Sequence, residues 1–180
     1  MGGPKPTVKS FGIDKRLVYG AWVKVRANQG APGVDAVRIT EFAARERDNL
    51  YLLWNRMSSG SYFPGPVRAV EIPKDHGSGV RVLGVPNVAD RVAQTAAAML
   101  LEEKLEPIFH PDSYGYRDER WILLYIARWL MAPMQMPDGT LIARERGTPQ
   151  GSPISSLLAN LFMHYAFSGS DRRSDTLLEF

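Results

Sequence analysis

Apolar residues recur at three- and four-residue spacing between Asp14 and Asn28, where Leu17, Val18, Ala21, Trp22 and Val25 mark one face, and Gly30 with Pro32 and Gly33 ends the run. That spacing predicts an amphipathic helix. A second helix is expected from an N-cap at Thr40, with Leu50, Leu53, Trp54 and Met57 along one face and Ser58, Ser59 and Gly60 as its stop. The pattern then changes period. Residues 67–74 and 79–86 alternate β-branched and polar positions around Asp75 to Gly79, which reads as a β-hairpin. Helical spacing returns from Asn87 to about Phe109, with Asn87 or Asp90 as cap, and again from Glu119 to Ala132. Asp138-Gly139 then signals a two-residue hairpin turn between short strands. Pro153 suits a first helical position, followed by Ile154, Leu157, Leu158, Leu161, Phe162 and Tyr165 on one stripe. Ser152, Ser155 and Ser156 lie where capping hydroxyls are useful. After Phe167 the pattern dissolves into Ser, Gly, Asp and Arg, and a frayed tail is expected.

Composition narrows the classes. An apolar share of 44% with 23% charge over 180 residues is that of a folded domain. The longest apolar candidate, Trp121 to Met134, is broken by Arg128, so no membrane span and no membrane partner are expected. The opening residues lack the apolar centre of a secretory signal, which points to the cytoplasm. There are no cysteines for disulfides or thiolate metal sites, and the three histidines, His76, His110 and His164, are too scattered for zinc. The net charge of +3 is unevenly spread: Lys5, Lys9, Lys15, Arg16, Lys24 and Arg26 face only Asp14 in residues 1–30. A basic arm of this kind can neutralise phosphates, but solvated terminal lysines are also common in proteins that bind nothing charged.

Several stretches carry candidate chemistry. Lys74 and Arg81 flank the hairpin turn, where antiparallel pairing could aim a point charge and a planar fork at one phosphate group; two solvated surface charges would look the same in sequence. In GAPGVD, Gly30 and Gly33 permit a sharp turn or a close backbone approach, and Asp35 can cap a turn or pair with a cation. Gly147, Pro149 and Gly151 bracket Gln150 in an irregular turn ahead of a helix start, and a fixed glutamine offers both a donor and an acceptor to a base or sugar. Neither a dinucleotide-binding glycine pattern nor a P-loop is present, and the serines near 152 do not form a nucleophile elbow.

Together these pieces resemble the reverse transcriptase/maturase family encoded by group II introns. Residues 30–35 look like that family's N-terminal extension motif, residues 72–94 like its fingers hairpin and following helix, Asp112 to Arg117 like its next block, and residues 146–167 like its PQG block. The four occur in family order. The resemblance implies an α+β fold, a right-hand polymerase with fingers and an incomplete palm. Its N-terminal extension and fingers would occupy residues 1–117, a partial palm residues 118–167 and an unstructured tail residues 168–180. It makes Lys74, Arg81 and Gln150 candidates for the incoming nucleotide, and Gly30, Gly33, Asp35, Gly147, Pro149 and Gly151 candidates for contact with nucleic acid. It implies RNA-directed DNA polymerase (nucleotidyltransferase) activity, Mg²⁺ and deoxynucleotides as cofactor and substrate, and intron RNA or an RNA template-primer as partner of a mobile element.

Two departures matter. The family's segment with the first metal-binding aspartate should follow the Asp112 to Arg117 block, yet Arg117 runs directly into Asp118 and the next helix. The Tyr-X-Asp-Asp hairpin expected after residue 167 is replaced by the polar tail. Asp118, Asp138 and Asp171 lie in neither motif's strand context, so no catalytic residue and no metal ligand is assigned. The expectation is a truncated, internally deleted relative, inactive alone as a polymerase. The alternatives are a noncatalytic RNA-binding module that keeps the basic N-terminal arm, or an unstable pseudogene product. The sequence sets no oligomeric state.

Overall fold

The computed structural model describes residues 10–74, 79–105, 120–144 and 150–163. Helix α1 is Lys15–Asn28, and the Asp14 carboxylate caps it by accepting the Arg16 N–H at 2.9 Å. It ends where Gln29 takes φ 54° and turns its own N–H back to the Arg26 carbonyl. Val18, Ala21, Trp22 and Val25 are its buried face, as the spacing predicts.

The expected second helix is two: α2, Ile39–Ala44, and α3, Glu46–Ser58. The break at Arg45 has a local cause. The Phe42 carbonyl, which a continuous helix would give to the amide of residue 46, accepts instead from the Arg45 N–H at 3.2 Å and the Asn49 side chain at 3.0 Å. Thr40 is not the cap. Arg38 holds that place, and its N–H is taken by the Glu41 carboxylate at 2.8 Å.

Strands β1, Val67–Pro73, and β2, Val80–Val85, form the expected hairpin. The long helix α4, Val88–Leu105, follows, and α5, Arg120–Met131, buries Trp121, Ile122, Tyr125 and Trp129. Strands β3, Met134–Gln135, and β4, Leu141–Ile142, make the second hairpin. Its loop is longer than two residues: Met136 donates to Thr140 at 2.9 Å, and Gly139 closes the turn at φ 88°. Residues 155–163 are helical, so the last helix starts two residues after Pro153.

The two hairpins join in one sheet of order β2-β1-β3-β4, because β1 runs parallel to β3 with Val67 opposite Met134 and Arg68 opposite Gln135. This α+β arrangement has one hydrophobic cluster running from Ile13 to Ile154, so residues on both sides of position 118 share a sheet and a core. Trp22 packs tilted against Phe42 at 4.8 Å, and Tyr62, Tyr125 and Trp129 meet at ring separations of 5.3 to 6.5 Å. Among the described residues, no helix is long and apolar enough to cross a membrane. The Asp112 to Arg117 block, His76, His110, His164, Gly147, Pro149 and the tail lie outside the described residues.

Candidate nucleic-acid interface

Alternation along β1 puts Arg68, Val70 and Ile72 on one face of the sheet, and the Lys74 N–H still pairs with the Gly79 carbonyl at 3.0 Å, which carries the same parity one step past the strand. Across the ladder Ile72 is opposite Arg81. Lys74 and Arg81 are therefore diagonal neighbours on the same face, both exposed, and the Lys74 stem lies along Gly79. Arg68 adds a third cation to that face. Sequence reasoning missed it, although its parity with Lys74 along a six-residue step was visible. Its Nε is buried without a hydrogen-bond partner among the described residues.

Gln150 is tied to the same hairpin through its backbone. The Gly84 N–H, on the outer edge of β2, donates to the Gln150 carbonyl at 2.9 Å, and the Gln150 side chain is exposed. Gly84 is three residues from Arg81, about 10 Å along the strand. Gly151 makes the contact possible: it sits at φ 104°, and a Cβ there would lie 3.1 Å from the Gly84 carbonyl oxygen. The next residue, Ser152, is buried and donates its hydroxyl to Gln94 on α4 at 2.6 Å. Its O–H thus ties the turn to α4, whereas capping was the role expected of it.

The GAPGVD loop packs elsewhere, on the N-terminus of α4. A Cβ at Gly33 would lie 2.2 Å from Asn87 Oδ1 and 2.6 Å from Asn87 Cα, so only glycine fits. Asn87 does precede the helix, but its side chain accepts the Asp35 N–H at 3.3 Å instead of a helix amide. Arg91 donates to the Gln29 carbonyl at 3.1 Å and to the Ala31 carbonyl at 2.9 Å, with Gly30 at φ 113° turning beneath its guanidinium. Burial lowers the Arg91 pKa, and the Asp35 charge raises it back in part. Asp35 itself accepts the Val37 N–H at 3.1 Å, the turn-capping role its position suggests.

Beneath this loop lies a polar cluster that patterning did not reveal. Asp90 is 4% exposed and accepts from the Tyr62 hydroxyl and, at 3.2 Å, from the Gly65 N–H. Burial pushes its carboxyl up to about 6, against the hydrogen bonds from Tyr62, Gly65 and Asn87, while the Asp35 charge adds to the rise. Burial likewise raises the Tyr62 phenol, with the Asp90 charge adding to it. Trp129 donates to the Tyr62 oxygen at 3.3 Å, and Arg128 donates to the Gly60 carbonyl at 2.8 Å and to that of Tyr62, its guanidinium 3.8 Å from the Phe63 ring centroid. The signal available in sequence was the row Asn87, Asp90, Arg91 and Gln94, polar positions at three- and four-residue spacing in an otherwise apolar helix. Together they fasten three separated segments to α4: the 29–35 loop by Asn87 and Arg91, Tyr62 and Gly65 by Asp90, and Ser152 by Gln94.

No family model matches the chain. Protein YkfC of Escherichia coli (strain K12) is 45% identical to it over 89 residues, 49% of this chain and 23% of that protein. Group II intron-encoded protein LtrA of Lactococcus lactis subsp. cremoris is 30% identical over 104 residues, 58% of this chain and 17% of that protein. Over 58% of its length the chain is thus related to group II intron-encoded proteins. It spans less than a quarter of the length of these relatives. The described residues contain no cluster of three or more His, Asp or Glu side chains suited to a metal ion. Asp138, in the β3–β4 turn, is exposed and accepts the Thr140 N–H at 2.9 Å, which lowers its pKa.

Proposed function

We propose that this chain is a fingers and partial-palm piece of a group II intron reverse transcriptase that contacts template-primer and nucleotide phosphate through the β1–β2 hairpin. The observation that carries the reading is the placement of Lys74 and Arg81 on one face of a hairpin whose edge strand also holds the Gln150 turn. Lys supplies a compact charge and Arg a planar fork, complementary ways to hold a polyphosphate. Gly151 serves by letting the turn lie close to β2.

Mg²⁺ supplies the family reaction with a clamp on the attacking and leaving oxygens, and a two-metal site needs carboxylates around ions about 3.5–4 Å apart. The described residues do not fit such a centre. The direct passage from Arg117 to Asp118 also leaves out the strand expected to bring the first aspartate. Polymerisation by this chain alone is therefore not expected. A primer-extension assay with the 180-residue chain, Mg²⁺, an RNA template-primer and deoxynucleotides should give no extended product. Template-dependent extension would overturn the inactivity.

A second reading, a noncatalytic RNA-binding module, is favoured by α1, whose Lys15, Arg16, Lys24 and Arg26 are all exposed and which carries no acidic residue. It requires RNA affinity that falls steeply with salt.

A further inference from the structure

Helix α3 lies beside this basic helix, and between them runs a groove of about 700 Å³ whose walls include Lys15, Tyr19, Arg47, Leu50, Tyr51 and Trp54. Tyr19 is 55% exposed and Tyr51 59%. Two large rings left open in one groove are a feature of binding surfaces more than of solvated faces. Trp54 is held in place, its indole N–H donating to the Ile13 carbonyl at 2.8 Å and its ring 5.8 Å from that of Tyr51. The Lys15 ammonium rests 4.3 Å from the Trp54 centroid and 5.7 Å from that of Tyr51. Of the groove's two carboxylates, Glu46 is neutralised by Arg26 at 3.5 Å, which leaves Asp48 against Lys15 and Arg47.

We propose that this groove binds an unpaired stretch of nucleic acid, with bases stacked on Tyr19, Tyr51 and Trp54 and phosphates met by Lys15 and Arg47. The proposal rests on the nucleic-acid partner of the second reading and adds what is recognised: open base faces, not charge alone. Stacking needs faces that a duplex hides, and the cations lie within reach of the rings, as in surfaces that hold single strands. A base arriving on Trp54 takes the place of the Lys15 ammonium, whose flexible stem lets it swing outward to the adjoining phosphate. A proline-rich peptide also suits an aromatic groove. Lys15, Arg16 and Lys24 of α1, its exposed cations besides the Arg26 that pairs with Glu46, favour the polyanion. The groove shares no residue with the β1–β2 hairpin.

The test is a fluorescence-anisotropy titration of the full chain with labelled oligo(A) of about ten nucleotides, a length matched to such grooves, as RNA and as DNA, beside a hairpin duplex carrying the same number of phosphates. Both single strands should bind more tightly than the duplex. Tighter binding of one of the two supports the proposal and identifies the natural strand as RNA or DNA. Tyr19→Ala and Tyr51→Ala, exposed positions that should leave the melting temperature unchanged, should each weaken single-strand binding about 5- to 150-fold with an unaltered salt slope. Lys15→Ala should reduce that slope by about 0.7. Equal affinity for the duplex, or tyrosine variants that bind like the parent chain, would each overturn the groove proposal while leaving the RNA-binding reading intact. Absence of binding to every polynucleotide at low salt would overturn both.

Discussion

The N-terminal end of α4 and the tip of the β1–β2 hairpin both contain residues that the family resemblance singles out, and they use them in opposite ways. At α4, Gly30, Gly33 and Asp35 are spent on the protein itself, packed under Asn87 and Arg91 or capping their own turn. At the tip, Lys74 and Arg81 are exposed on a narrow two-stranded projection, where Val80 and Val82 are exposed as well. A motif glycine can therefore mark a close approach within the fold, whereas the two cations at the tip stay exposed, as the proposed phosphate contact requires. The PQG turn shows both uses within three residues: Ser152 is anchored to Gln94, Gly151 backs onto β2, and the Gln150 side chain faces outward.

This contrast predicts unequal responses to substitution. The largest effect is expected for Gly33→Ala, because the new methyl would overlap the Asn87 backbone, which cannot swing aside as a side-chain tip could. A loss of about 3 kcal/mol in denaturant unfolding is expected, at the upper end of overpacking costs. A loss below about 0.5 kcal/mol, the ordinary surface range, would mean that the loop is not clamped to α4.

Asp90 gives an intermediate effect with a sign that can be checked. Its carboxyl titrates near 6 in the fold, above its ordinary value, so the folded state holds the proton to higher pH than the unfolded chain does. Its contribution is thus fully present below the ordinary carboxylate range and is lost as pH rises through about 6. The slope between those limits is at most about 1.4 kcal/mol per pH unit. Asp90→Asn should remove this component, seen as a difference between the two unfolding curves that changes with pH across that window. A constant difference would mean that the carboxyl is hydrated and the buried cluster looser than its hydrogen bonds imply.

The smallest stability effects belong to the tip. Lys74→Ala and Arg81→Ala should each change unfolding free energy by less than about 0.5 kcal/mol. Each should nevertheless lower affinity for an RNA template-primer and reduce its salt slope by about one for every phosphate no longer neutralised. Unchanged affinity in both variants would remove the hairpin from the interface.

Much of this architecture was legible from local pattern. The helix at Asp14 to Asn28 and the hairpin around Asp75 to Gly79 could be read because cap, periodicity and stop agree over a short stretch, and local agreement of that kind survives folding. The break at Arg45 could not be read, since it depends on which partner the Phe42 carbonyl takes. Nor could the parallel pairing of β1 with β3, which joins residues 67 and 134 through a register that neither strand encodes by itself. Arg68 escaped attention because a single cation in an alternating strand looks like an ordinary polar position until the ladder sets it on the face of Lys74 and Arg81.

The sequence by itself determined the helices and hairpins, the uneven placement of positive charge, and the family resemblance carried by short blocks in a fixed order, because each is a property of neighbours along the chain. Only the tertiary structure decided that Asn87, Asp90, Arg91 and Gln94 fasten three separated segments to one helix, and that the Gln150 turn seats on the strand bearing Arg81. Those outcomes depend on burial, which removes water as a competing partner and obliges each polar group to find another wherever the fold brings one within reach.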